Sequence, residues 1–268
     1  MAGLFLIGEK LNSTRPSAKR IFDERDEAAL SAAVEAQLAG GASSIDLNAS
    51  MLMAGEKGAL QWGARFVRER FHVAVALDSP DLPLLLETAG ELGENAIVNS
   101  ITCDEDALRD TFAAASRSGA AVIVMLKDKT GMPESPSGRI ALAERAAAIA
   151  AETSIAPERV FFDPLVTPLA TTPGGLVVVL DTARRLAERL PAYRRIGGLS
   201  NVSFGLPDRK LVNRCFAAML VAAGFTALIC DTTDRELVET LRASEAIVGL
   251  DPNCRRLLES YRAGRKAR

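Results

Sequence analysis

Histidine is nearly missing: His72 is the one copy in 268 residues. That scarcity disfavours Ser-His-Asp catalysis, multi-histidine metal centres and histidine acid–base pairs. His72 opens an apolar run, where a surface or packing role is expected. Cys103, Cys215, Cys230 and Cys254 are scattered, with no C-x-x-C pair. Neither a zinc knuckle nor a disulfide framework is expected from them, and Cys230 reads as a small packing residue. No apolar run reaches the roughly 18 residues of a membrane span. The opening Met1-Ala2-Gly3-Leu4-Phe5-Leu6-Ile7-Gly8 has neither the basic nor the long apolar region of a signal peptide, so a cytoplasmic location is the expectation. A formal net charge of -2 argues against general affinity for nucleic acid or an anionic membrane. Both common phosphate-loop motifs, G-x-G-x-x-G and G-x-x-x-x-G-K-[ST], are missing; Gly174-Gly175 instead opens a helix. The chemistry is left to carboxylates, amides and hydroxyls.

What is present is alternation. Hydrophobic residues make up 48%, enough for a large core. Strand-length apolar runs are predicted at Phe5–Gly8, Ser44–Asn48, Val73–Asp78, Ala96–Asn99, Ala121–Leu126, Val160–Asp163, Ile196–Ser200 and Ala227–Cys230. Amphipathic helices are predicted at Glu27–Leu38, Lys57–Arg70, Leu82–Leu92, Glu105–Ser116, Ile140–Ala151, Leu176–Leu190, Arg209–Ala222 and Arg235–Ile247, with a last piece from Arg255 to about Ala263. Gly40-Gly41, Gly119 and Gly224 mark helix ends, and Asp104 and Asp208 read as N-caps. This alternation predicts an α/β protein, a (β/α)8 TIM barrel forming one domain over residues 1–268, with a doubly wound open sheet as the rival.

Polar residues collect where the strands stop. The stretch Arg195-Ile196-Gly197-Gly198-Leu199-Ser200-Asn201-Val202-Ser203 is a short apolar run ending in hydroxyls and an amide. The other runs close the same way: Glu9 and Asn12, Asp46 and Asn48, Asp78, Asn99 with Ser100 and Thr102, Lys127 and Asp128, Asp163, and Asp231. In a parallel barrel these positions share one mouth, so acids and amides would line one concave site. Each has a plainer reading: Asp78 and Asp163 precede Ser-Pro and Pro and can form turns, Asp231 can cap the next helix, and Lys127 and Asp128 can sit in a surface loop. Capping alone would accept Ser, Thr or Gly as readily, which leaves the recurrence of Asp and Asn to explain. Carboxylates and amides without histidine suit a neutral, planar heterocycle rich in N–H donors, because a carboxylate accepts two parallel hydrogen bonds from an amidine-like edge. Mg²⁺ or Ca²⁺ held by the same oxygens is the rival ligand, and the spacing does not decide between them.

The ordered set of segments resembles the pterin-binding methyltransferases that move a methyl group between methyltetrahydrofolate and a corrinoid protein. The matching pieces are Ile7-Gly8-Glu9-Lys10-Leu11-Asn12, Gly41-Ala42-Ser43-Ser44-Ile45-Asp46-Leu47-Asn48, Ala76-Leu77-Asp78-Ser79, Ile97-Val98-Asn99-Ser100, Lys129-Thr130-Gly131-Met132-Pro133, Phe162-Asp163-Pro164-Leu165, Gly198-Leu199-Ser200-Asn201-Val202-Ser203 and Leu211-Val212-Asn213-Arg214. The resemblance implies a TIM barrel, usually homodimeric, with tetrahydrofolate or 5-methyltetrahydrofolate as substrate and cobalamin carried by a separate corrinoid protein. It implies that Asp78, Asn99 and Asp163 hold the pterin, that Asp46 and Asn48 form further pocket wall, and that Asn201, with Asp163 and Ser200 beside it, serves N5. Arg209 falls where the family often has a basic residue near the folate mouth. No metal site is implied. Some members continue Ser-Asn-Val-Ser with Gln where this chain has Phe204. Dihydropteroate synthase is the nearest rival enzyme, but its Ser-Arg-Lys is replaced here by Ser200-Asn201-Val202 and its Asn-Val-Thr-Pro-Asp-Ser-Phe motif is missing. A pterin- or corrinoid-associated subunit without catalysis is the alternative of a different class.

Overall fold

Strand sequences that alternate between two apolar sets have two faces to bury, and here both are buried. In the structure, a computed structural model describing residues 3–266, eight parallel strands close into a barrel in chain order, with β1 beside β8. The strands are β1 (Phe5–Asn12), β2 (Ser44–Asn48), β3 (Ala74–Asp78), β4 (Ala96–Thr102), β5 (Ala121–Met125), β6 (Val160–Asp163), β7 (Arg194–Gly198) and β8 (Ala227–Cys230). The helices are α1 (Pro16–Glu24), α2 (Glu27–Ala39), α3 (Glu56–Phe71), α4 (Leu82–Leu92), α5 (Glu105–Ser118), α6 (Pro136–Glu152), α7 (Gly175–Arg189), α8 (Arg209–Ala222), α9 (Arg235–Ile247) and α10 (Arg255–Lys266). The closed barrel excludes the open-sheet alternative.

The period of two along each strand divides the residues. Ile45, Leu47, Val75, Leu77, Val98, Val122, Val124, Val160 and Phe162 belong to the large apolar layer shared with the helices. The alternate positions Ile7, Ala76, Ile97, Ala121, Ile123, Phe161, Ile196 and Ala227 form a separate cluster that plugs the barrel axis. Each large aliphatic or aromatic side chain fully buried there contributes roughly 1.5–3 kcal/mol. Two residues further along, on the same face, stand Glu9, Asp78, Asn99, Met125, Asp163, Gly198 and Ile229. The plug is therefore the floor of whatever lies at the carboxyl ends of the strands.

Local chemistry punctuates the units. Asp26, Asp81, Ser135, Asp208 and Asp234 each accept a hydrogen bond from a backbone N–H in the first turn of the following helix. Gly119 ends α5 at φ +80, a conformation in which a Cβ is strained. Gly40 lies against the Thr232 carbonyl, so a side chain there would collide with the β8–α9 loop.

The elements depart from expectation in several places. β7 ends at Gly198, and Leu199–Ser203 is a 3-10 turn rather than strand. β1 and β4 run on to Asn12 and Thr102, each across a shift in register. Helix α1 was not foreseen, and α6 begins at Pro136, behind its Ser135 cap, instead of Ile140. Asp104 does not cap α5 with its side chain; its carboxylate accepts from the Thr102 hydroxyl at 2.5 Å and the Lys129 N–H at 3.0 Å. Asp231 is no helix cap either: it accepts from Thr233 and pairs with Lys10 at 2.5 Å, while Asp234 caps α9. His72 is exposed and ends α3 in the left-handed conformation. Cys230 is buried, and Asp128 sits in a loop paired with Arg145 at 3.0 Å.

Candidate active site

A cavity of about 330 Å³ opens above the plug at the carboxyl ends of the strands. Its wall includes Glu9 and Asn12 from β1, Asp46 from β2, Asp78 from β3, Asn99 and Ser100 from β4, Met125 from β5, Asp163 from β6, Gly198 from β7 and Ile229 from β8, so every strand contributes. Thr14, Arg15, Leu165, Ser200 and Asn201 complete it from the loops. Among the predicted site residues, Asp46, Asp78, Asn99, Asp163, Ser200 and Asn201 meet in this one space.

Asn48 and Arg209 are not in the wall. Asn48 is buried one step behind it: its Oδ1 accepts from the hydroxyls of Ser13 at 3.2 Å and Ser50 at 2.8 Å and from the Ser50 N–H at 3.1 Å, and its amide hydrogen-bonds Asp78. Asn48 therefore aims Asp78 and anchors the loop after β2. Arg209 donates from Nε to the Ser203 hydroxyl at 3.1 Å and from Nη2 to the Ser200 carbonyl at 2.9 Å. It braces the 3-10 turn that carries Ser200 and Asn201.

The carboxylates are held unlike surface acids. Burial, and then the neighbouring Asp78 carboxylate, push Asp46 well above the usual carboxylate range; the Asn99 amide, donating to its Oδ1 at 2.9 Å, pulls the other way. Burial also raises Asp78, opposed by the Asn48 hydrogen bond and reinforced by Glu56. Asp163 is pushed up to about 6 by burial, held back by the Leu165 N–H at 2.7 Å and by the positive charge of Arg139. Glu9 is raised by burial against a hydrogen bond from Ser200. A site rich in buried acids is complementary to N–H donors, whose hydrogen bonds stabilise the carboxylate form that burial disfavours. Among the described residues, no group of three histidine, cysteine or acidic side chains is close enough to hold a metal ion.

Asn201 is differently placed. It stands exposed at the rim, and nothing among the described residues hydrogen-bonds its side-chain amide. A side chain at Gly198 would approach its Nδ2 to 3.2 Å, so the glycine leaves the amide room. The peptide between Asn99 and Ser100 is cis. Met125, Leu165 and Ile229 supply apolar surface among the polar groups.

Sequence reasoning passed over Arg15 and Arg139. Arg15 approaches Glu9 to 3.6 Å, and its place just before Pro16 looks like any loop cation. Arg139 is 2% exposed beneath the β6 loop, donating from Nε to the Pro133 carbonyl at 3.0 Å and from Nη1 to the Pro164 carbonyl. An arginine in the first turn of a helix carries no sequence sign of burial.

A family model described as pterin binding enzyme matches residues 8–231. The chain is 29% identical over 265 residues to the methylcorrinoid:tetrahydrofolate methyltransferase of Eubacterium limosum, covering 98% of this chain and 97% of that protein. It is 27% identical over 167 residues to a methionine synthase of Mycobacterium leprae (strain TN), covering 58% of this chain and 14% of that longer protein. Among solved structures, a Yersinia pestis DHPS with a pterine-sulfa conjugate superposes with a TM-score of 0.67 at 17% identity, covering 92% of this chain and 94% of that one. A dihydropteroate synthase from Coxiella burnetii in complex with pteroic acid gives 0.63 at 15% identity, covering 92% and 95%. At those identities the structural likeness speaks for the fold alone.

Proposed function

The chain belongs to the family of pterin-binding enzymes, and we propose that within it this protein is a methyltransferase moving a methyl group between N5 of tetrahydrofolate and the cobalt of a separate corrinoid protein. One observation carries the reading: acids and amides from four strands, Asp46 of β2, Asp78 of β3, Asn99 of β4 and Asp163 of β6, meet in one cavity whose rim holds the unpartnered amide of Asn201. Similarity to the Eubacterium limosum methyltransferase over nearly the full length supports the choice of reaction.

The residues fit a pterin. Asp78 and Asp163 offer carboxylates for its 2-amino and N3 edge, and Asn99 has an amide oxygen for a further N–H. Asp46 orients Asn99 through the 2.9 Å bond from its amide. The cavity, about 330 Å³, lies at the small end of ligand pockets, as suits a bicyclic ring with its tail left outside. The methyl acceptor or donor is a substrate on the partner, so the chain need supply no nucleophile. Its work is to place the methyl in line and to stabilise the charge change at N5. Asn201 Nδ2 is the group for the second task, and one preorganised donor of this kind is worth about 2.7–4 kcal/mol.

The chain's organisation follows the same reading: one pterin-binding domain over residues 1–268, acting in the cytoplasm as a homodimer. Among the described residues no helix is long and apolar enough to cross a membrane. Leu211, Cys215 and Met219 make an exposed i, i+4, i+8 stripe on α8, a face of the kind that a second copy covers.

Mixing the protein with methyltetrahydrofolate and cobalt(I) cobalamin tests the reaction, since methylcobalamin has its own absorption spectrum. Asn201→Ala should lower the transfer rate about 10²–10³-fold while weakening folate binding far less. Normal transfer by Asn201→Ala would remove the assigned role. Folate binding with no turnover by the unaltered protein would favour a non-catalytic subunit, and condensation of a pterin pyrophosphate with p-aminobenzoate would favour a dihydropteroate synthase.

A further inference from the structure

Glu9 has no part in the proposed pterin contacts, yet it lines the same cavity from β1. Its side chain is 13% exposed. Its Oε1 accepts from the Ser200 hydroxyl at 2.6 Å, and Ser200 precedes Asn201 on the same turn. An acid linked through one hydroxyl to the residue beside the N5 donor is placed to exchange a proton with the ligand.

The charges facing Glu9 come from every side. Arg15, beyond β1, lies 3.6 Å away. Lys10, the next residue on β1, is engaged by Asp231 beyond β8 at 2.5 Å. Asp46 on β2 and Asp231 repel a negative Glu9, while Arg15 and Lys10 attract it. Burial outweighs the rest, so the carboxyl is raised above an ordinary glutamate.

We propose, on the basis of the methyl-transfer reading, that Glu9 holds the proton exchanged with N5 and passes it through the Ser200 hydroxyl. When a methyl group leaves N5 for the partner's cobalt(I), the carbon–nitrogen bond breaks and its electron pair stays on N5. The carbon–cobalt bond forms from the cobalt's electron pair, a formal change from cobalt(I) to cobalt(III). One proton then has to reach N5. The Ser200 hydroxyl delivers it and is refilled from the Glu9 carboxyl, which ends as carboxylate. In the opposite direction every arrow reverses, and the carboxylate takes the proton that N5 gives up.

Glu9→Gln separates proton from shape, because its amide oxygen still accepts from Ser200 but it has no acidic proton. The intact protein is assayed with methyltetrahydrofolate and cobalt(I) cobalamin across pH, with folate binding followed in parallel. Glu9→Gln should bind folate as the unaltered protein does, transfer methyl groups about 10²-fold more slowly, and lose one limb of the pH–rate profile. Ser200→Ala should reproduce the loss, Glu9→Asp should recover part of the rate, and the double variant should be no slower than the slower single. A Glu9→Gln protein with normal rate and profile would overturn the proposal. So would a slower one with an unchanged profile, or one that no longer binds folate, since both describe a structural acid. An unaltered protein that binds folate and makes no methylcobalamin would overturn the methyl-transfer reading itself, and this proposal with it.

Discussion

Asp163 shows what a single residue costs the fold in return for function. Its carboxyl is pushed up to about 6 from an unfolded-state value near 3.8. Between those values the folded chain binds more protons than the unfolded chain, so this group's contribution to stability is highest below the lower value and is lost as pH rises through about 6. Asp163→Asn removes the titration. Without ligand, its Tm should match the unaltered protein's at the acid end, rise above it across that window, and stay above it at neutral pH. The same variant should bind folate at least about tenfold more weakly, because a charge-assisted acceptor becomes a neutral one. Equal Tm differences at all pH values would show that Asp163 is not the titrating group. Asp78, Asn99 and Asp163 were legible as site candidates because each closes an apolar run, and the period of two places such a residue over the barrel axis. Arg139, whose charge holds Asp163 down, was not, since burial of an arginine depends on loops distant in sequence.

At the scale of an element, the turn Leu199–Ser203 is where expectation and structure part most usefully. Ile196-Gly197-Gly198-Leu199-Ser200 reads as continuous strand because its residues are apolar and small, yet the strand stops at Gly198. The turn is kept by contacts that local pattern does not encode: Ser200 to Glu9 across 191 residues, and Arg209 reaching back from α8 to the Ser200 carbonyl and the Ser203 hydroxyl. Helix α1 escaped for a related reason. Its buried Ala18, Ile21 and Phe22 have helical spacing, but it has nine residues, an arginine at its N-cap and no acid in its first turn. The bracing role of Arg209 is testable. Arg209→Ala removes two hydrogen bonds from the turn without touching the cavity wall. It should lower methyl transfer about tenfold, a loss of roughly 1.4 kcal/mol in positioning, and leave folate binding within about threefold. Arg209→Lys should recover little, since one ammonium does not replace the planar fork. A loss confined to folate affinity would instead place Arg209 against the ligand, as the family resemblance implies.

Across the whole molecule, the barrel divides its tasks between two ends, and alternation of strand and helix was enough to foresee that much. Closure at the amino-terminal end was not legible, because it joins the two ends of the chain. Glu245 on α9 is 1% exposed there and accepts from the Leu4 N–H at 2.7 Å, fastening the start of β1. Arg242 at 3.1 Å and Arg256 of α10 at 3.4 Å flank its two oxygens. Removing the negative charge leaves Arg242 without its carboxylate and Arg256 with Asp251 at 3.6 Å; both guanidiniums are partly exposed, so the cost is about 1–3 kcal/mol. For a chain of this size that corresponds to a fall in Tm of about 5 °C. Yet the apolar plug of Ile7, Ile97, Ile123, Phe161 and Ile196 lies between this end and the cavity. Glu245→Gln should therefore melt earlier by about that amount and, well below its melting point, keep the folate affinity and transfer rate of the unaltered protein. Thermal melts and methylcobalamin formation on the same preparation check both halves. A variant that keeps its Tm would show that the ion set adds nothing to closure. One that loses transfer while still folded would mean that strain at the closed end reaches the mouth through β1, the strand that carries both Leu6 of the outer layer and Glu9 of the site.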